Sequence, residues 1–174
     1  MLLSDRDIRH EISARRIVFT PRLQASQIGG ASVDLTLDGK FWAFKTGYAN
    51  SHRPVDLDKV SFADATEEMR QKSIILSPGQ IVLGITKEKI RLPADIMGNL
   101  EGRSRYARMG LAVHITSALV QPGSDNHQVL EIVNFAPFPV KISEGMRISQ
   151  VVFQYLKHPT SKPYAKFGKV ARKQ

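Results

Sequence analysis

Residues 33–44 read VDLTLDGKFWAF and carry the signal that decides the fold. Their first half alternates apolar and polar side chains, which is the period of a strand with one buried face. Asp38 and Gly39 form a dipeptide that favours a two-residue hairpin turn, so residues 41–44 are expected to be the return strand. This segment therefore predicts antiparallel β structure.

Short strand patterns, separated by turn residues, continue toward the C-terminus. The predicted strands cover residues 73–76, 81–86, 89–92, 95–100, 112–115, 128–135, 140–142 and 148–156. Ser4 is a predicted N-cap of a short helix, with Asp7 at the third helical position. Residues 47–72 are weakly periodic and predict a loop with one helical turn. Together these patterns indicate one mainly β domain, a barrel, sandwich or jelly roll, with few helices.

The composition is that of an ordinary globular domain, with 174 residues, 42% of them hydrophobic and 24% charged. Cysteine is absent, which excludes disulfide scaffolds, thiolate zinc sites and cysteine nucleophiles. No apolar run approaches the roughly 18 residues that span a bilayer, and the first residues lack the apolar centre of a signal peptide. We therefore expect no membrane partner and a cytoplasmic location.

The positive charge is concentrated at the C-terminus. The formal net charge is +9, and residues 157–174 contribute +6 of it because they contain six basic residues and no acid. The first 156 residues carry only +3. The tail could be a solvated end, a lid over a phosphate-bearing ligand, or an arm that binds nucleic acid.

An arginine-rich segment follows a predicted strand. Residues 101–110 read EGRSRYARMG, with three arginines and a serine between two glycines. Glycine lets the backbone approach a ligand, and guanidinium groups suit phosphate oxygens. The segment is thus a candidate anion site, and a solvated helix with paired arginines is an equally good interpretation.

Glu131 lies within the apolar run VLEIV at residues 129–133. On a strand, it shares a face with Val129 and Val133, opposite Leu130 and Ile132. A carboxylate in this setting could be a general base, a structural ion-pair partner, or a surface residue at the mouth of a barrel. His114 could face a pocket, but a core histidine is the more common case. The sequence lacks the combination of His-x-Glu and Pro-Cys-x-x-Cys that is typical of the zinc-dependent nucleobase deaminases.

Several motifs occur together in a known order. They are GRSRYARMGL at 102–111, HITS at 114–117, QPG at 121–123, LE at 130–131 and GMRI at 145–148. In these residues, and over nearly its whole length, the chain resembles the dCTP deaminase branch of the trimeric dUTPase superfamily.

The resemblance implies a distorted jelly-roll or β-barrel of the dUTPase-like type, formed by residues 1–156, with residues 157–174 as a basic lid. It also implies a homotrimer with active sites between subunits. The implied reaction converts dCTP to dUTP and ammonia, with Mg²⁺ bound through the triphosphate and no zinc. A nucleic-acid partner is not expected.

The resemblance also assigns site residues by position. Glu131 would be the general base, and Ser104 and Arg108 would order the attacking water and contact phosphate. The other implied substrate-binding residues are Arg103, Arg105, Tyr106, Ala107, Thr116, Ser117, Gln121, Val129, Leu130 and Gln150, with Tyr164, Lys169 and Gln174 in the tail.

The chain departs from the family pattern at three contacts. Arg105 replaces a serine, Ser117 replaces an alanine, and Gln121 replaces an aspartate. The loss of that carboxylate weighs against a dUTP diphosphatase, whose hydrolytic water uses the aspartate. A dUTP diphosphatase, a bifunctional enzyme that releases dUMP, and a non-catalytic nucleotide-binding homologue are the alternatives to a dCTP deaminase.

Overall fold

A computed structural model describes residues 1–49 and 52–168. Its helices are α1 (Asp5–Ser13), α2 (Thr46–Ala49), α3 (Phe62–Ala65), α4 (Ser104–Ala107) and α5 (Tyr164–Phe167), with a 3₁₀ turn at Ala25–Gln27. Its strands are β1 (Val18–Thr20), β2 (Val33–Phe44), β3 (Thr66–Arg70), β4 (Ser73–Leu76), β5 (Ile81–Arg91), β6 (Ile96–Gly102), β7 (Leu111–Val113), β8 (Leu119–Val120), β9 (Asp125–Asn134), β10 (Val140–Ser143) and β11 (Arg147–Tyr155).

The strands pair antiparallel throughout the described residues. The main sheet has the order β7-β9-β5-β2-β11-β6-β8, with β1 paired to the end of β5 and β3 paired to β2. β4 and β10 form a separate two-stranded sheet. The prediction of a mainly β fold with a few short helices is confirmed.

The core is formed by the inward-facing residues of the long strands. Leu35 and Phe41 from β2, Ile90 from β5, Leu130 from β9 and Phe153 from β11 are fully buried. Burial of each such side chain stabilises the fold by roughly 1.5–3 kcal/mol. The alternation of these residues with polar ones fixes which face of each strand is left for the site.

The first helix begins as its sequence predicts. The Ser4 hydroxyl accepts a hydrogen bond from the Asp7 amide, and the Asp7 carboxylate accepts one from the Ser4 amide at 2.9 Å. This reciprocal pair satisfies two N–H groups at the start of α1 that have no partner within the helix.

The expected hairpin at Asp38 and Gly39 is wrong, because β2 runs through both residues to Phe44. The pairing of β2 with β5 shifts register between Leu37 and Phe41, so the dipeptide marks an irregularity inside one strand. A side chain at residue 39 would lie 3.2 Å from the Gln71 carbonyl oxygen. The Glu144 carboxylate would be closer still, at 2.9 Å, so Gly39 relieves crowding inside the strand and does not form a turn.

Two further expectations change in the same part of the fold. The two strands predicted at 81–86 and 89–92 are one strand, β5, which ends at Arg91 and whose register shifts between Ile85 and Lys89. At that shift the buried Glu88 carboxylate accepts hydrogen bonds from Gln27 and from the Thr36 amide, both at 2.8 Å. The loop predicted at 47–72 contains α3 and the polar strand β3, which pairs with β2.

Candidate active site

Glu131 lies in the middle of β9, with its side chain on the face opposite the core. Its neighbours Leu130 and Ile132 are fully buried, whereas the Glu131 side chain is 28% exposed. The alternation read from the sequence is therefore correct. Since the Leu130 side chain belongs to the core, only its backbone can line a pocket on the Glu131 face.

The Glu131 carboxylate is held by the segment that follows β7. The Thr116 hydroxyl donates a hydrogen bond of 2.9 Å to Glu131 Oε2, and the Thr116 amide lies 3.4 Å from the same oxygen. No hydrogen bond from the described residues reaches Oε1. One carboxylate oxygen is thus oriented, and the other is available for a ligand or water.

His114 lies beside this carboxylate and is 7% exposed. Its Nε2 lies 2.6 Å from the Ser117 carbonyl oxygen and must donate to it. In the neutral ring, Nδ1 then carries no hydrogen; this buried atom has no hydrogen-bond partner among the described residues and lies 3.8 Å from Glu131 Oε2. The ring therefore braces the turn at residues 114–117, and the His114 amide joins this turn to β9 by donating to the Glu131 carbonyl oxygen at 2.7 Å.

A polar cavity of about 230 Å³ opens next to His114. Ser117, Gln121, Val129 and Tyr164, all expected to bind substrate, line it together with the buried residues Ser124, Asn126 and Gln128. Pockets for drug-sized ligands measure roughly 300–1,000 Å³. This cavity is therefore smaller than a pocket for a drug-sized ligand.

The C-terminal segment packs onto the same cavity. The Tyr164 amide donates to the Pro122 carbonyl at 3.0 Å, and the Ala165 amide donates to the Gly123 carbonyl at 3.1 Å. Gly123 has φ +78, and a side chain there would come within 2.6 Å of Pro163. This turn thus needs glycine both for its conformation and for the contact with the tail. Lys169 and Gln174 lie outside the described residues.

The arginine segment forms a second cluster. Arg103 pairs with Asp34 at 3.0 Å and donates to the Arg147 carbonyl at 2.9 Å. Desolvation raises the pKa of Asp34, while Arg103 and Arg147 act in the opposite direction. Sequence reasoning missed Asp34, although the alternation in β2 places it on the face opposite the core.

A cavity of about 280 Å³ lies at this cluster and is lined by Asp34, Arg103, Ser104, Arg105 and Gln150, with Ser26, Gly29 and Ser32. Gln150 donates to the Gly102 carbonyl and accepts from Ser32. Its side chain therefore fixes the start of the arginine segment.

The helix expected in this segment is short, since α4 ends at Ala107. Ser104, Arg105, Ala107 and Arg108 are exposed, while Tyr106 packs against the core. The Arg105 guanidinium lies 5.7 Å from the Tyr106 ring centre. Within residues 1–49 and 52–168, Arg105 and Arg108 make no ion pair.

The cluster around Glu131 and the arginine segment are not joined through Glu131, Ser104 or Arg108 in the described residues. In the described part of the chain, no hydrogen bond or ion pair links Glu131 to Ser104 or Arg108. A cavity of about 500 Å³ has Ser104, Ala107, His114 and Gln150 among its lining residues. The predicted cooperation of Ser104 and Arg108 with Glu131 is therefore not formed within the described part of the chain and stays a prediction.

The sequence as a whole matches known proteins. A family model described as dCTP deaminase-like matches residues 2–156. A dCTP deaminase of Rhodospirillum rubrum is 41% identical, over 95% of this chain and 88% of that protein. A "dCTP deaminase, dUMP-forming" of Methanosphaera stadtmanae is 36% identical, over 94% of this chain and 83% of that protein. The chain belongs to the dCTP deaminase-like family.

The fold agrees with this membership. The crystal structure of a 2'-deoxycytidine 5'-triphosphate deaminase from Agrobacterium tumefaciens matches with a TM-score of 0.68 at 22% identity, over 89% of this chain and 48% of that one. The chain spans about half the length of that protein, and the likeness shows a shared fold. These findings confirm the predicted family and the dUTPase-like fold class. They also confirm the prediction that the chain is an enzyme of this family.

The described part of this dCTP deaminase-like chain contains neither a cluster of metal ligands nor a helix that could span a membrane. Among residues 1–49 and 52–168, no three histidine, aspartate or glutamate side chains are grouped as metal ligands. None of the helices in the described residues has the length and apolar character needed to cross a lipid bilayer.

Proposed function

We propose that the chain is a dCTP deaminase, which hydrolyses the bond between C4 of cytosine and its amino group to give dUTP and ammonia. The observation that carries the proposal is the position of the Glu131 carboxylate. Thr116 orients it by a hydrogen bond, and it lies 3.8 Å from His114. His114 in turn lines the polar cavity. Relatives named dCTP deaminase support the same reaction. The enzyme would supply deoxyuridine nucleotides for thymidine nucleotide synthesis in the cytoplasm.

Glu131 carries both proton transfers in the proposed reaction. Its carboxylate takes a proton from water as the water oxygen adds to C4, and it passes this proton to ring N3. It then moves the proton of the new hydroxyl group to the amino group, which leaves as ammonia while C4 becomes the uracil carbonyl. Zinc would take no part in this chemistry.

The base and sugar would occupy the polar cavity. Backbone groups at Thr116 and Ser117 would read the cytosine edge, and the backbone at Val129 and Leu130 would line the pocket. Gln121 would contact the sugar through hydrogen bonds, since it stands where relatives have a carboxylate. The cavity volume of about 230 Å³ is in keeping with a ring and its sugar.

The triphosphate would lie against the arginine segment. Arg103, Arg105 and Arg108 supply guanidinium groups, and the Ser104 hydroxyl adds a donor. Mg²⁺ would enter bound to the phosphates as part of the substrate. The absence of an ion pair at Arg105 and Arg108 among the described residues leaves both groups available for phosphate.

We further propose a homotrimer in which each site is shared between neighbours. Glu131 of one subunit would meet Ser104 and Arg108 of the next, because no contact joins these side chains within the described part of one chain. In this arrangement Ser104 and Arg108 order the attacking water and steady the carboxylate.

Residues 157–174 would act as a lid on the domain formed by residues 1–156. The packing of Tyr164 on the Pro122 carbonyl supports this role, because it brings the tail to the cavity. Lys169 and Gln174 would extend the lid over the phosphates. Closure would exclude water from the site.

A bifunctional enzyme that continues to dUMP and pyrophosphate is the second candidate. It is favoured by the relatives named "dCTP deaminase, dUMP-forming". The glutamine at position 121 weighs against it, since an amide cannot accept a proton from a hydrolytic water as a carboxylate does.

Incubation with dCTP and Mg²⁺ and separation of the nucleotides by ion-exchange chromatography tests the proposal. Accumulation of dUTP is the expected result, and dUMP with pyrophosphate would establish the second candidate. No turnover by a protein that circular dichroism reports as folded would contradict both and favour a non-catalytic nucleotide-binding homologue.

A further inference from the structure

Residues 55–68, here called the acidic loop, form a surface that combines negative charge with exposed apolar side chains. The loop contains five acidic residues and one lysine. Leu57 is 84% exposed and Phe62 is 51% exposed. Large apolar side chains are rarely this exposed in a cluster without a partner, so the loop has the character of a docking element.

A basic groove lies between α1 and the chain that follows β1. This surface, here called the arginine groove, encloses about 800 Å³ and has Arg9, Arg15, Arg22 and Arg91 at its walls. Aliphatic residues such as Leu23 form its floor, and no acidic residue lines it. Within the described residues, Arg15, Arg22 and Arg91 make no ion pair, and Arg9 has only a 4.0 Å contact with Asp5.

Arg15 adds a conformational observation. Its backbone has φ 57, in the left-handed region that glycine usually occupies after a helix. For an arginine this conformation is unfavourable, and such outliers are concentrated at functional positions. The cost is offset if the side chain is needed at the groove.

The loop cannot reach the groove of its own chain. Ile81, at the start of β5, lines the same apolar pocket as Leu57 and Phe62, while Arg91 ends β5 at the groove. Ten residues of strand separate these positions by about 30 Å. A contact between loop and groove therefore requires a second molecule.

We propose that the acidic loop of one copy of this chain docks into the arginine groove of another copy. Asp56 pairs with Lys59 and Glu68 with Lys40, both at 2.9 Å, and Asp64 caps α3, so Asp58 and Glu67 are the carboxylates that would pair with the guanidinium groups. Leu57 and Phe62 would cover the aliphatic floor. A second copy is favoured over nucleic acid because the groove offers no exposed aromatic ring for base stacking, Phe19 being 6% exposed. The contact is head-to-tail, as rings of subunits require.

This inference does not rest on the proposed deaminase activity. Glu131, Ser104 and Arg108 line neither the groove nor the apolar pocket of the loop. Loss of the contact and loss of chemistry can therefore be measured separately.

Disulfide cross-linking tests the contact without background, because the chain has no cysteine. One variant carries Leu57→Cys in the loop, and a second, with an affinity tag that shifts its mass, carries Ser13→Cys in the groove. Mild oxidation of the mixture should give the mixed dimer in excess over both homodimers. The control pairs Ser13→Cys with Lys141→Cys, an exposed position outside the loop. A yield no higher than this control would overturn the proposal.

Charge reversal then separates docking from misfolding. Adding Arg15→Glu and Arg22→Glu to the groove variant should abolish the mixed dimer, and adding Asp58→Arg and Glu67→Arg to the loop variant should restore it. Lys72→Glu, at an exposed site elsewhere, should leave the yield unchanged. A mixed dimer that survives reversal contradicts the proposal. So does salt-sensitive binding of labelled single-stranded DNA that is lost with the groove charges, since it would make the groove a nucleic-acid site.

Discussion

At the scale of the residue, Glu131 is the side chain on which the proposed chemistry depends. The variant Glu131→Gln keeps the shape of the side chain and can keep the Thr116 hydrogen bond, but an amide cannot take up a proton. Turnover should fall by roughly 10²–10⁴-fold or more, with nucleotide affinity nearly unchanged. Ammonia release and calorimetric titration with dCTP measure the two quantities. A parental rate would show that another group is the base.

Thr116 should act through the orientation of that carboxylate. Thr116→Val removes the hydroxyl that donates to Glu131 Oε2 at 2.9 Å and retains the side-chain volume. A hydrogen bond to a charged group contributes about 1.5–3 kcal/mol, so kcat should fall about ten- to a hundredfold with little change in KM. Ser117→Ala, which restores the residue of the family pattern, is the matched control and should retain activity. An equal loss in both variants would point to a general disturbance of the segment.

The sequence predicted the features of the candidate site that follow from the alternation of apolar and polar residues within one strand. Alternation in β9 places Glu131 opposite the core, and the structure agrees. The partners of Glu131 were not predictable, because Thr116 and His114 reach it across a turn in which His114 has φ 54. Arg103 was expected to bind substrate, and its ion pair with Asp34 was not predictable because Asp34 comes from a strand distant in sequence.

At the scale of the element, pairing between residues distant in sequence also explains where the predicted strands were wrong. Alternation identified β2 and most of β5, but the Asp-Gly dipeptide and the pair Lys87 and Glu88 were read as breaks. Both are register shifts inside continuous strands. The polar strand β3 escaped notice because only Thr66 of its five residues is buried, and its stability comes from backbone pairing with β2.

The end of β11 is tied to α1 by a titrating hydrogen bond. Tyr155 donates to Glu11 at 2.8 Å, and burial together with this bond raises the pKa of Tyr155 from 10.0 to about 12. Because the folded-state pKa is raised, the stabilisation is complete below pH 10 and is lost as pH rises through about 12. Tyr155→Phe should thus lower the free energy of unfolding most below pH 10, with the difference shrinking toward pH 12. Urea unfolding across this range is the check, and a difference independent of pH would contradict it.

The tail is an element whose three interpretations make different predictions. Deleting residues 157–174 removes the Tyr164 and Ala165 contacts with the turn at Pro122 and Gly123. If the tail is a lid, dCTP turnover should be lost while the melting temperature of the domain changes little. Tyr164→Ala should show part of the same loss. Intact turnover with lost, salt-sensitive DNA binding would identify an arm instead, and no change in either would identify a solvated end.

At the scale of the whole molecule, the separation of the two clusters is the central observation. Glu131 lies on β9 beside His114, which lines the polar cavity, whereas Arg108 follows α4 and makes no ion pair in the described residues. Under the proposed function, a single chain would present two halves of a site. Cyclic symmetry would bring the arginine segment of one subunit to the Glu131 face of the next at every interface.

Mixing two inactive variants tests this shared site. Glu131→Gln lacks the base and Arg108→Ala lacks the guanidinium, so each homotrimer should be inactive or nearly so. In trimers assembled at random from equal amounts of both, a site is intact when its base comes from the Arg108→Ala subunit and its arginine from the Glu131→Gln subunit. Activity should then return to roughly one quarter of the parental value. If both residues act within one chain, no combination of subunits contains an intact site, and the co-expressed mixture would stay as inactive as its components.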